Sequence, residues 1–215
     1  MKAGQESGST TRKRLLRAAG EVFSQYGFRA STVREISRRA GANVAAVNYY
    51  FGNKRGLYSA VLKYTLNSAL QKYPPEFGLD SGATAEERLH AFIRSFLFRV
   101  LDEGRPAWYG KLMAREISEP TAALDELVEQ SIRPLHERLI GIVRELIGKD
   151  AGDGPARLCA LSIIGQCLFY HHGRTVIARI YPQEFSAGQI ERLADHVTQF
   201  SVGAIRTFAK TNGQG

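Results

Sequence analysis

Apolar positions along this chain recur at spacings of three and four residues, and no stretch alternates convincingly at period two, so the pattern predicts an all-α protein. From a cap at Ser9 or Thr10, residues Leu15, Leu16, Ala19, Val22, Phe23 and Tyr26 form one stripe, which Gly27 ends. Val33, Ile36 and Ala40 form a second, shorter stripe. It opens at Thr32 with Glu35 three residues on, the spacing at which the hydroxyl accepts an amide proton and the carboxylate reaches back. Gly41 can turn the chain at positive φ. Asn43 is a good cap for a third helix from Val44 to Phe51. Gly52 and Asn53 turn again, and Lys54 opens a longer helix to about Tyr73, stopped by Pro74 and Pro75.

Beyond a loop at 74–82, Thr84 and Glu87 form another capping box before Leu89, Phe92, Ile93, Phe96, Leu97 and Val100, and Gly104 and Pro106 break that helix. Trp108, Tyr109, Leu112, Met113 and Ile117 mark the next. A long helix from Leu124 to Leu146 should kink at Pro134. Ala156 to Ile180 reads as one helix, apolar nearly all round, and Ser186 with Gln189 caps the last, which carries apolar residues from Ile190 to Phe208. Two helices so apolar need cover on both sides, which predicts a homodimer built through them, with small residues such as Gly165, Ala178, Gly188, Gly203 and Ala204 allowing close approach.

Charge sharpens this picture. Of 29 Lys and Arg in the 215-residue chain, twelve fall in residues 1–65 against only Glu6, Glu21 and Glu35, a balance of +9, while the remainder stands at −1. The positive excess therefore coincides with the two short helices about Gly41. Alone, those helices fit a helix-turn-helix or an ordinary helical hairpin in a bundle; with the charge they point to a binder of polyanions. Ala45 and Ala46 would let backbone approach a major-groove floor. Arg12, Lys13, Arg14 and Arg17 crowd the start of the first helix, the unfavourable end of its dipole, and fit either an external anion or a solvated face.

Other chemistry is not indicated. There is no Gly-rich phosphate loop, nucleophile elbow or purposeful pair of acids, so no enzyme and no cofactor is expected. Cys159 and Cys167 lie eight apart on one predicted helix, about 12 Å along its axis, too far to bridge. The histidines show no ligand spacing, so no metal is expected. No signal peptide and no apolar run of about 18 residues is found, which predicts a cytoplasmic protein without a membrane partner.

Residues 10–66, with the ordered string FSQYGFRASTVREISRRAGANVAAVNYYFGNKRGLYSAVL, resemble the N-terminal domain of the TetR family of bacterial transcriptional regulators. Weaker runs further on, A-W-Y, R-E-I-S-E-P and I-R-P-L-H, resemble the subgroup typified by CecR. Residues 1–9, polar and small with nothing to bury, read as a flexible tail. The resemblance implies a three-helix DNA-binding domain with a helix-turn-helix at 10–54, a connecting helix at 55–73, and a larger helical effector-binding and dimerisation domain at 74–211. It implies that Thr32 and Lys54 hold phosphates, that Tyr49 reaches the DNA backbone, and that Asn43, Val44, Ala45, Ala46 and Asn48 face bases, with Arg38 on the same surface. Val44 and Asn48 depart from the common pattern, in which Lys and Tyr are frequent. Asn48 could pair with adenine and the alanines could touch thymine methyls, which favours an A/T-containing half-site.

For the C-terminal half, Phe96, Trp108, Tyr109, Met113, Gln166, Tyr170 and His171 combine apolar walls with a few polar groups, the make-up of a small-molecule pocket and also of a plain core. The resemblance implies a repressor released from a palindromic double-stranded operator by a small effector. A constitutive dimeric regulator without a ligand is the alternative.

Overall fold

A computed structural model describes residues 2–80, 82–102, 104, 106, 108–148, 152–182 and 187–212, with side chains except at 2–9, 187 and 209–212. Every regular element among them is helical: α1 (Lys2–Ala30), α2 (Val33–Ala40), α3 (Val44–Phe51), α4 (Lys54–Lys72), α5 (Ala85–Leu101), α6 (Trp108–Ser118), α7 (Ala122–Leu127), a π-helical turn (Val128–Ile132), α8 (Arg133–Ile147), α9 (Asp153–His172), α10 (Arg174–Ile180) and α11 (Ala187–Asn212). By contact they divide into two compact units, Met1–Ser68 with Glu103–Ile132 and Ala69–Asp102 with Arg133–Gly215.

In the first unit α1 is the element against which the others pack. Leu15, Leu16, Ala19, Val22 and Phe23 are buried on one face, meeting Ile36 of α2, Val47 of α3 and Leu57, Val61 and Leu62 of α4. Phe23 meets Tyr58 of α4 edge to face at 4.8 Å between ring centres. Each such buried side chain contributes about 1.5–3 kcal/mol relative to leaving it in water. The unit also takes in α6 and α7, which the sequence assigns to the 74–211 segment: Trp108, Tyr109, Leu112 and Leu127 join the same core. Trp108 lies over Gly20 and Arg115 beside Gly27, seven residues apart on both helices, so α6 runs along α1 where two missing side chains allow it. Gly27 has a second duty, since its φ of 76° bends the end of α1.

In the second unit α5 packs against α8, α9 and α11. Leu89, Ile93 and Leu97 meet Leu139 and Val143, Ala160 and Ile163, and Ala194 and Val197 there. Arg94 holds Glu191 through two bonds of 2.6 Å, tying α5 to α11.

Several local expectations change. Helix α1 already runs at Lys2, so the start at Ser9 or Thr10 is not where it begins; the side chains of Lys2 and Ser9 lie outside the described residues, as does Ser186. Thr84 and Glu87 close a full capping box, but at Thr32 only the hydroxyl half forms, because the Glu35 carboxylate bonds Arg38 and Arg39 instead. Pro134, lacking an N–H, is preceded by the π-helical turn, which divides the long helix into α7 and α8. The stretch from Ala156 to Ile180 is two helices, not one. It breaks at Gly173, whose amide donates to the Phe169 carbonyl at 2.7 Å.

A Cβ at Gly20 would overlap the indole of Trp108, the only tryptophan in the chain. Gly20→Ala should therefore lower stability by about 1–3 kcal/mol through overpacking, despite the better helix propensity of alanine. Thermal unfolding followed by Trp108 fluorescence measures it, and an unchanged or raised midpoint would show that α6 does not lie on Gly20.

Candidate nucleic-acid interface

Eight residues are too few for a helix to hold itself in water, so α2 and α3 are fixed by their ends and by one buried face each. Thr32 caps α2 by accepting the Glu35 amide at 3.2 Å. Gly41 ends it in the left-handed region, at φ 58° and ψ 42°, and its own amide bonds back to the Arg38 carbonyl. Two residues later Asn43 caps α3, its Oδ1 accepting the Ala45 amide at 2.9 Å. Val47 is the buried anchor of α3.

That anchoring decides what α3 shows to solvent. Val44, Ala45, Asn48 and Tyr49 are exposed and share a face, and Tyr49 stands out at 82% exposure. Ala46 is half-buried and packs against the core beside Val47. Asn43 is itself exposed, and the cap engages only its Oδ1. The exposed face thus carries amide donors, small methyls and a phenol, a mixture suited to base edges, thymine methyls and phosphate.

Cations lie on the neighbouring helices, and several are already partnered. Arg38 holds Glu35 through two bonds of 2.9 and 2.8 Å, and Arg39 holds the same carboxylate at 2.7 Å while lying over the Tyr26 ring. These hydrogen bonds, Arg38 first and then Arg39, pull the Glu35 pKa from 4.5 down to about 2. From α1, Arg14 reaches the Gly41 carbonyl at 3.4 Å and Arg12 lies over the Phe51 ring. Of the cation cluster of α1, open to two readings from sequence, Arg14 thus meets the turn of the helix-turn-helix and Arg12 the end of α3. Lys54 is also engaged: its Nζ donates to the Arg29 carbonyl at 3.2 Å and sits 4.8 Å above the Phe28 ring, and burial lowers its pKa. The first turn of α4 is capped by Asn53, whose Oδ1 accepts the Gly56 amide at 3.0 Å.

Comparison with known proteins gives two family matches: bacterial regulatory proteins of the tetR family over residues 15–61, and the C-terminal domain of the HTH-type transcriptional dual regulator CecR over residues 85–205. The CecR protein of Shigella flexneri is 32% identical over 206 residues, covering 89% of each chain. The chain belongs to the TetR family. The HTH-type transcriptional repressor NicS of Pseudomonas putida is 28% identical over 91% of each chain. Among solved structures, the fatty acid degradation regulator FadR from Bacillus halodurans superposes with a TM-score of 0.63 at 16% identity, over 89% of this chain and 97% of the other. A TetR-like transcriptional regulator from Rhodococcus sp. RHA1 does so with a TM-score of 0.58 at 20% identity, over 90% and 96%. The protein is thus a TetR-family helix-turn-helix transcription regulator.

Within this TetR-family chain the residues expected at DNA all lie in the first unit, whereas those expected at a ligand do not stay together. Trp108, Tyr109 and Met113 pack in the first unit's core, and Phe96 and Tyr170 pack against the core of the second, where Gln166 and His171 are half-buried. A groove of about 620 Å³ in the second unit is lined by Phe77, Asp80, Glu87, His90 and Arg94 among others, and by none of the seven. Glu116, which the sequence offers only as a polar neighbour of the candidate ligand aromatics, is completely buried on α6; its place amid the apolar positions of that helix was the available signal.

The Glu35 cluster has a defined pH signature. Its folded pKa lies below the ordinary value, so its stabilisation is complete above about 4.5 and is lost as pH falls towards about 2. The difference in urea midpoint between the parent and Glu35→Gln should be constant from about pH 5 to 8 and shrink below about 4.5. A difference that changes between pH 6 and 8 would mean that another group controls α2.

Proposed function

We propose that this TetR-family regulator is a cytoplasmic repressor that binds a palindromic operator as a homodimer and is released by a small-molecule effector. The observation that carries the DNA part is the exposed face of α3, where Val44, Ala45, Asn48 and Tyr49 stand clear of the core on a helix capped by Asn43. Asn48 and Asn43 supply hydrogen bonds to base edges, Val44 and Ala45 touch thymine methyls, and Tyr49 and the Thr32 hydroxyl reach phosphate. Arg38 shares its charge between Glu35 and the backbone of the operator.

The dimer reading is supported by large apolar side chains left exposed on neighbouring helices of the second unit. Leu158, Leu161 and Phe169 on α9 and Phe200 and Phe208 on α11 are each half or more exposed. Isolated exposed apolar residues are ordinary, but a row of this length on packed helices calls for cover. A twofold axis through them pairs two reading helices, which must lie about 34–36 Å apart to enter successive major grooves.

Repression and release draw support from the relatives, one named a repressor and one a dual regulator, and from aromatic surroundings in the second unit. There the buried Arg99 lies over the rings of Phe92 and Phe96, a polar group among apolar walls of the kind that orients a small ligand. The division of the predicted ligand residues between two units favours a second reading, a constitutive dimeric regulator. Operator binding with and without cell metabolites separates the two, since release requires some ligand to lower affinity.

Selection of bound fragments from genomic DNA should return palindromic A/T-containing half-sites. Against such a fragment, Asn48→Ala and Tyr49→Ala should each weaken binding by about 1–3 kcal/mol, with unfolding midpoints unchanged. Operator affinity untouched by both substitutions would remove α3 from the interface. Leu161→Glu combined with Phe169→Glu should yield a monomer in sedimentation; a variant that stays dimeric would place the twofold axis elsewhere.

A further inference from the structure

Glu116 is 0% exposed on α6, and its carboxylate accepts three hydrogen bonds from neutral donors. Oε1 takes the Thr121 amide and the Thr121 hydroxyl, both at 2.9 Å, at the start of α7. Oε2 takes the Tyr58 hydroxyl at 2.6 Å, from the second turn of α4. A buried carboxylate is costly to desolvate, and three short bonds of fixed direction are what keep it there. Its position is therefore sharply defined, and so is that of each donor.

Tyr58 carries that definition towards the reading helix. Its ring lies 4.8 Å from Phe23 and 5.0 Å from Phe28, near the end of α1, over which the Lys54 ammonium also rests. Two residues before Tyr58, Gly56 packs so closely on the Phe51 carbonyl that a side chain would collide with it. Phe51 is the last residue of α3. The path from Glu116 to the end of the reading helix thus runs through one side chain and one turn of backbone. Along α4, Ser59 and Lys63 both bond Glu126 of α7, a second attachment of the same two helices, but a half-exposed one worth little by itself.

We propose that Glu116 is a positioning residue for DNA recognition: by fixing Tyr58 and the α7 cap together, it sets where the first turn of α4, and with it α3, stands on the face presented to DNA. The proposal rests on the reading that α3 contacts the operator. It makes α6 and α7 working parts of the DNA-binding head, although their residues fall within the CecR-type C-terminal match. Glu116 touches no DNA itself.

The test uses the full chain and a selected operator fragment. Tyr58→Phe removes one oxygen, Glu116→Gln replaces an acceptor by a donor, and the double variant combines them; Ile93→Val, in the core of the second unit, is the stability control. At a temperature where circular dichroism shows every variant folded, Tyr58→Phe and Glu116→Gln should each weaken operator binding by more than twofold, through a displaced α3 and not through a lost contact to DNA. The double variant should be no weaker than the worse single one, because the two act through one contact. The salt dependence should keep its parental slope, since no phosphate contact is lost. Should Glu116→Gln fail to fold, Tyr58→Phe carries the test alone. Operator affinity within twofold of the parent in the single variants overturns the proposal, however far their melting points fall. So does an equal loss of affinity in Ile93→Val. Failure of the underlying reading is seen separately, as a parent protein that does not distinguish the operator from random DNA.

Discussion

A helix of eight residues with one fully buried side chain has almost no stability of its own, and α3 is such a helix. What holds it is its one anchor, Val47, and what flanks it: the Asn43 cap at its start, Gly52 at its end, and the first turn of α4 against the Phe51 carbonyl. Because so little of α3 is buried, most of its surface is left for another molecule. A longer or more amphipathic helix would hold itself better and present less. The economy of the head follows from this constraint, with α1, α2 and α4 supplying the core that α3 lacks.

Electrostatics obey the same constraint at closer range. A surface with this surplus of Lys and Arg repels itself, and Glu35 is the acid of α2 that answers it, held ionised by two guanidinium groups at once. It organises Arg38 and Arg39 into fixed positions and leaves the neighbourhood positive overall. Arg14 on the Gly41 carbonyl and Lys54 on the Arg29 carbonyl do likewise with backbone acceptors. Cations held in this way have already given up side-chain freedom that any later contact would otherwise cost.

How much of this was legible in the sequence depended on whether the signal was local. Caps at Thr32, Asn43 and Thr84 and the turn at Gly41 were readable because each rests on a few adjacent residues whose side chains or φ values have one good use, whereas at Pro134 the sequence pointed to a kink and the structure has a π-helical turn before it. The half-formed box at Thr32 was not readable, because Glu35 had two arginines one turn away competing for it. Gly173 broke a helix whose flanking residues all favoured continuation. Gly20, which looks like a defect in α1, makes sense only once Trp108, far along the chain, is set upon it. Glu116 was hidden for the same reason, since its partners lie 58 residues before it and five after.

That last pair of distances bears on how the family is put together. Sequence similarity divides the chain linearly, at the end of one match and the start of the next, yet side-chain contact places α6 and α7 with the helix-turn-helix. Two glycines in α1 make room for them, and one buried carboxylate binds them to α4. A cut between the two matches would uncover Trp108 and part Glu116 from Tyr58, leaving it only the Thr121 donors, so the linear division does not follow the packing. Helices α6 and α7 share the core on which α2 and α3 rest, and packed side chains and directed hydrogen bonds yield little before they break. The head of this regulator is better regarded as six helices than as three.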